Sequence, residues 1–230
     1  MNVKFMMAAV GISSALWAFG IEFLPVPGSQ KGQVTFVNKQ TRLAESEIQT
    51  VCGIIEKATK CKAAIGVAED SPVVIEIVDD ETSPAMTAYP EDYKAIVNVG
   101  RLDKNLKGRA LEKFYPVRCR KELLRAFCFA CGAGGSQYPN NIMAIGDLTD
   151  LDLCEEFIPG DTASTCEMRL TKVGVTPTRF VSYAKACREG WAPAPTNDYQ
   201  QVIWDKIKAD QAQVPTKPIK ITPDMKPQGK

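Results

Sequence analysis

Apolar positions in this chain cluster into runs of distinct period, and those periods predict an α+β arrangement. Val73-Val74-Ile75-Glu76-Ile77-Val78 is a β-branched run that predicts a strand, followed by an acidic turn at Asp79-Asp80-Glu81. Ala95 to Val99 has the same character, and Gln33 to Val37 predicts an earlier strand. From Ser46 the period lengthens. Ile48, Val51, Ile54 and Ile55 share one helical face, predicting a helix that ends near Cys61. Leu123, Leu124, Phe127, Cys128 and Cys131 recur at spacings of three and four and predict a central core helix. Pro116 is expected in its first turn and Gly132 as its left-handed cap. Arg109 to Phe114 reads either as a short helix or as an edge segment. Thr176-Pro177 predicts the opening of a helix to Gly190, and Asn197 caps another that runs through Ile203 and Ile207. No internal repeat is visible.

The two ends read differently from the middle. Lys4 precedes an apolar run from Phe5 to Phe19, and Ala18-Phe19-Gly20 offers the small residues of a signal-peptidase site. The expectation is a signal peptide over 1–20, an export address (secreted or periplasmic) and a linker over 21–32. An uncleaved anchor is the alternative, with Glu22 interrupting it. A single domain is expected over 33–210. Pro215, Pro218, Pro223 and Pro227 alternate with lysines, so 211–230 is expected to be a disordered tail.

Export would change how the cysteines are read. Cys52, Cys61, Cys119, Cys128, Cys131, Cys154, Cys166 and Cys187 all follow the leader, and their even number favours disulfides. Only Cys52–Cys61 suggests itself as a pair, because it would tie a helix end to its following turn. The leader carries one of the 28 bases and none of the 27 acids, so the mature chain is formally neutral. Such a balance excludes the basic footprint of a nucleic-acid binder.

The chain contains no histidine. Ser-His-Asp and Cys-His hydrolases and His-ligated metal sites are thereby excluded. Against that absence stands Lys121-Glu122-Leu123-Leu124-Arg125, followed downstream by Asn141-Ile142-Met143-Ala144. This stretch resembles the active-site segment of the metzincins, whose His-Glu-x-x-His-x-x-Gly-x-x-His helix precedes a methionine turn. The resemblance implies a zincin-like mixed sheet with a central motif helix and C-terminal helices, here expected to be disulfide-stabilised. It places Lys121 and Arg125 at histidine positions, Glu122 at the general base, Cys128 at the glycine, Cys131 at the third ligand and Met143 in the turn. Two cations cannot bind zinc, and they are expected to pair with Glu122 and depress its pKa. The resemblance therefore implies a degenerate metzincin with no cofactor and no catalytic residue beyond the position of Glu122; together with the leader, the expectation is a secreted, inactive protein with a binding or structural role.

Other readings remain beside that one. Glu122 with an acid from 147–156 would suit a carboxylate hydrolase, and carboxylates with cysteines would suit a non-histidine metal site. Cys128 and Cys131 with Cys154 and Cys166 resemble a Cys₄ zinc set with too wide a second spacing. Asp147, Asp150, Asp152, Glu155 and Glu156 form a solvated acidic stretch or a Ca²⁺ loop, without the glycine and terminal glutamate of an EF-hand. Trp191 and Trp204 either meet a protein or glycan partner or lock a C-terminal helix onto the core. Neither nucleic acid nor a membrane beyond the leader is expected as a partner.

Overall fold

The structure is a computed structural model that describes residues 22–138, 140–144 and 148–212. Its elements run β1 (Phe23–Pro25), β2 (Val34–Asn38), α1 (Glu45–Thr59), β3 (Ala63–Ile65), β4 (Val73–Val78), β5 (Met86–Tyr89) and β6 (Lys94–Asn98). They continue with α2 (Arg109–Ala130), α3 (Leu148–Leu153), α4 (Gly160–Lys172), β7 (Phe180–Ser182), α5 (Tyr183–Arg188) and α6 (Asp198–Ala212). The expected signal peptide at 1–20 and the tail from 213 onward lie outside the described residues. Among the described residues, no helix is long and apolar enough to cross a membrane.

Contacts divide the described residues into two units, where a single domain over 33–210 was expected: Pro25–Arg179, and 180–212 together with 22–24. In the larger unit five strands order as β3-β2-β4-β6-β5, the first four parallel and β5 antiparallel at the edge. Alternation along β4 explains why one face is covered. Val73, Ile75 and Ile77 are fully buried, whereas Val74, Glu76 and Val78 are only partly so. Helices α1 and α2 pack against this sheet. On the other face Glu76 pairs with Lys39 at 3.1 Å and Lys94 at 2.9 Å.

α1 buries Ile48, Val51, Cys52, Ile55 and Thr59, one apolar stripe, and ends on a left-handed Lys60 with φ 60°. α2 is longer than expected. It begins at Arg109, so Pro116 lies inside the helix rather than in its first turn. The segment 109–114 is thus neither a separate helix nor an edge strand. Gly132 does close α2, with φ +72° and an amide bonded to the Phe129 carbonyl at 2.8 Å.

Several short elements were not predicted. β1 lies within the expected linker, while β3, β5, α3 and α4 fall where no element was expected. α4 buries Ala163, Cys166 and Leu170 at spacings of three and four, a stripe of mostly small residues in a segment that is polar as a whole. The helix expected over 176–190 is instead the strand β7 and the six-residue α5.

In the smaller unit β1 pairs with β7, and Tyr183, Cys187 and Ile207 form a core with Leu24, Ile203 and Trp204 against it. Asn197 caps α6 by accepting from the Gln200 amide at 2.9 Å.

The expectation of disulfide stabilisation is overturned. All eight cysteines are buried and none is in a disulfide. Cys52 sits seven residues before the end of α1, roughly 10 Å of helical rise from it, beyond the reach of a disulfide to Cys61.

Candidate functional site

The site is built on the middle of α2, where an ordinary amphipathic helix would keep its charges outside. Here Arg118, Lys121, Glu122 and Arg125 are buried together with Leu123, Leu124, Ala126 and Phe127. Charges in such surroundings persist only when each meets a partner. The Arg125 guanidinium donates to Glu122 at 3.0 Å, one helical turn back, and to the Ala144 carbonyl at 3.0 Å. Its Nε is buried without a partner among the described residues. Lys121 donates to the carbonyls of Leu151 at 3.1 Å and Asp152 at 3.0 Å. Burial leaves Lys121 6 %, Glu122 4 % and Arg125 9 % exposed.

The expected pairing of Glu122 with a cation is present, but its expected pKa depression is not. Desolvation pushes the Glu122 carboxyl above its ordinary range, and the attraction of Arg125 only partly offsets this. Coulomb attraction and dehydration oppose each other here, and dehydration wins because so little of the side chain reaches water.

Asn141 to Ala144 forms a tight turn beside this cluster. The Met143 amide donates to Asn141 Oδ1 at 2.8 Å, and the Ser136 amide donates to the Met143 carbonyl at 2.7 Å. Met143 is itself buried, and the turn's last carbonyl, that of Ala144, holds Arg125. The motif helix and the methionine turn therefore meet through a guanidinium.

Two carboxylates of the acidic stretch, Asp152 and Glu156, are bound to arginines of α2. Asp152 receives two bonds from Arg118, at 2.7 and 2.6 Å, and Glu156 two from Arg120, at 2.5 and 2.9 Å. Arg120 also pairs with Glu47 of α1. Asp147 lies outside the described residues. With Asp152 and Glu156 so engaged, neither the expected pairing of Glu122 with an acid from this stretch nor a Ca²⁺ loop is formed by these two carboxylates.

The cysteines separate into two places. Cys166 of α4 meets Cys128 of α2 and Cys131 at its C-terminal cap; their hydrogen bonds favour its thiolate, while the same interaction and then burial push the other two thiols up. Cys154 lies elsewhere. Its thiol donates to the carbonyls of Asn141 at 3.0 Å and Asp150 at 3.2 Å, within the electrostatic reach of Lys121, Glu122 and Arg125. The considered Cys₄ set is therefore split. Cys131, at the third-ligand position, faces Cys166 rather than the charge cluster. Among the described residues, no group of three or more Cys, Asp or Glu side chains is placed to hold a metal ion.

In the smaller unit, Trp191 donates to Glu189 at 2.8 Å and Lys208 lies 4.6 Å from the Trp204 ring centroid. Trp204 packs against the local core of Tyr183, Cys187 and Ile207, the locking role considered for it.

A four-stranded parallel sheet with an antiparallel edge, covered by a motif helix that meets a methionine turn, is a zincin-like arrangement. A solved structure shares this fold. Archaemetzincin from Methanopyrus kandleri superposes with a TM-score of 0.52 at 14 % identity, over 64 % of this chain and 99 % of that one. A zinc-dependent peptidase from Methanocorpusculum labreanum gives 0.47 at 14 % identity, over 59 % and 100 %. Archaemetzincin from Archaeoglobus fulgidus gives 0.44 at 13 % identity, over 58 % and 99 %. No protein-family model and no curated protein matches the sequence. The likeness to the Methanopyrus structure establishes the fold: this chain is zincin-like in architecture.

These comparisons also correct the functional expectation. Among them, the solved structure that shares the fold is described as an archaemetzincin. Nothing in them supports a signal peptide, secretion, or an inactive protein with a binding or structural role, and the disulfide part of that description has already failed.

Proposed function

We propose that the motif helix is a degenerate zincin metal helix in which a buried ion pair stands where the metal would be held. The observation that carries this reading is the Glu122–Arg125 contact at 3.0 Å inside the core. A catalytic zinc takes three protein ligands with available lone pairs. Lys121 uses its ammonium protons on two backbone carbonyls, and the Arg125 guanidinium has no lone pair to offer. Cys131 faces another cluster. These residues do not fit zinc, so no step through a metal is derived. In this reading Glu122 is the counter-ion of Arg125 rather than the base of a metal-bound water.

The test is zinc content and zinc titration of the purified full-length protein and its Glu122→Gln variant. The expected result is binding far below one zinc per chain at α2, unchanged by the substitution. Stoichiometric zinc that is lost in Glu122→Gln would overturn the reading.

A further inference from the structure

The stretch from Asp150 to Ile158 lies across α2, and the way it is held differs from the rest of the core. Three successive cationic positions of α2 grip it. Arg118 forks onto Asp152, Arg120 forks onto Glu156, and Lys121 takes the Leu151 and Asp152 carbonyls. Its apolar anchors are few: Leu151, Cys154 and Ile158 are buried, while Leu153 and Phe157 are exposed. Two further ties, from the Glu155 amide at 2.9 Å and the Cys154 thiol at 3.0 Å, reach Asn140 and Asn141 rather than the sheet.

We infer that residues 150–158 form a salt-sensitive strap that opens from α2 as a unit while the sheet stays folded. Opening frees Lys121 from the Leu151 and Asp152 carbonyls and uncovers the buried Cys154. The physical basis is the kind of bond that closes it. Ion pairs with an exposed partner weaken as salt screens them, whereas buried apolar contacts do not. The Asp152 side chain is 39 % exposed, so its pair with Arg118 is reached by ions. Segments with few apolar contacts and solvent-reachable polar bonds are those that open below the global unfolding limit.

The test uses the full-length protein and pulse labelling with N-ethylmaleimide, read by peptide mass spectrometry. Cys154 reports on the strap, and the fully buried Cys128 and Cys166 report on the core. From low salt to about 1 M NaCl, where screening acts within about 3 Å, Cys154 should label about tenfold faster or more relative to Cys166. Asp152→Asn and Glu156→Gln should produce similar accelerations at low salt. Should either variant fold poorly, amide exchange of the peptide over 150–158 in the unmodified protein gives the same readout against peptides of β4. Labelling of Cys154 that tracks Cys128 and Cys166 at every salt concentration, or strap amides exchanging no faster than those of β4, would overturn the inference. Neither outcome depends on zinc, so this test and that of the motif helix fail separately.

Discussion

At Glu122 the choice of one residue type changes what the helix can be. A histidine one helical turn away would leave the carboxylate free to act on a metal-bound water, whereas Arg125 neutralises it directly at 3.0 Å. Removing one partner of such a buried pair typically costs about 3–5 kcal/mol, because the other charge is left unpaired. The raised pKa of Glu122 has a definite sign in stability. Its folded value lies above its unfolded one, so the native state holds the proton more tightly. Stability must then rise as pH falls from above the folded value toward the unfolded one. Measured by urea unfolding, the unmodified protein should therefore gain on Glu122→Gln as the pH is lowered toward about 5, since the glutamine cannot take up that proton. A difference that is flat or of opposite slope would mean that Arg125 outweighs burial.

Elements were legible in proportion to how fully local pattern and tertiary environment agree. β4 occupies the expected Val73–Val78 because each alternate residue meets either α-helical core or partly open sheet face. α2 disagrees with local expectation at its start. Proline lacks the N–H that would bond four residues back, which placed Pro116 in a first turn, yet Tyr115, Arg118 and Cys119 are buried and hold the helix through it. That tension predicts an outcome: Pro116→Ala restores the amide and should raise stability by about 1–3 kcal/mol. An increase in melting temperature by calorimetry checks it, and a decrease would show that the proline ring itself is needed by its surroundings. α4 and the short strands β3 and β5 escaped notice for the opposite reason. The two strands carry too few buried positions to impress a period on the sequence, and α4 is too polar as a whole for its stripe of small residues to announce a helix.

Across the whole molecule, long-range placement governs chemistry that residue counts suggest only loosely. Eight cysteines in an even number pointed to disulfides, but the fold buries them as thiols in the two units. Titration with a thiol reagent in denaturant, without reductant, should therefore report all eight; recovery of markedly fewer would restore the bridged reading. By itself the sequence determined that no imidazole is available, that β-branched runs become the strands of a sheet, and that Lys121, Glu122 and Arg125 share a helix. Those properties depend on residue identity and on spacing within one element, which a helical or extended backbone translates directly into geometry. Only the tertiary structure decided that Lys121 would meet carbonyls thirty residues away, that Arg125 would hold the methionine turn, and that Cys131 would face Cys166. Each of those contacts joins segments remote in sequence. The packing of α2 among the sheet, the methionine turn and the strap sets their separations, and no local period encodes that.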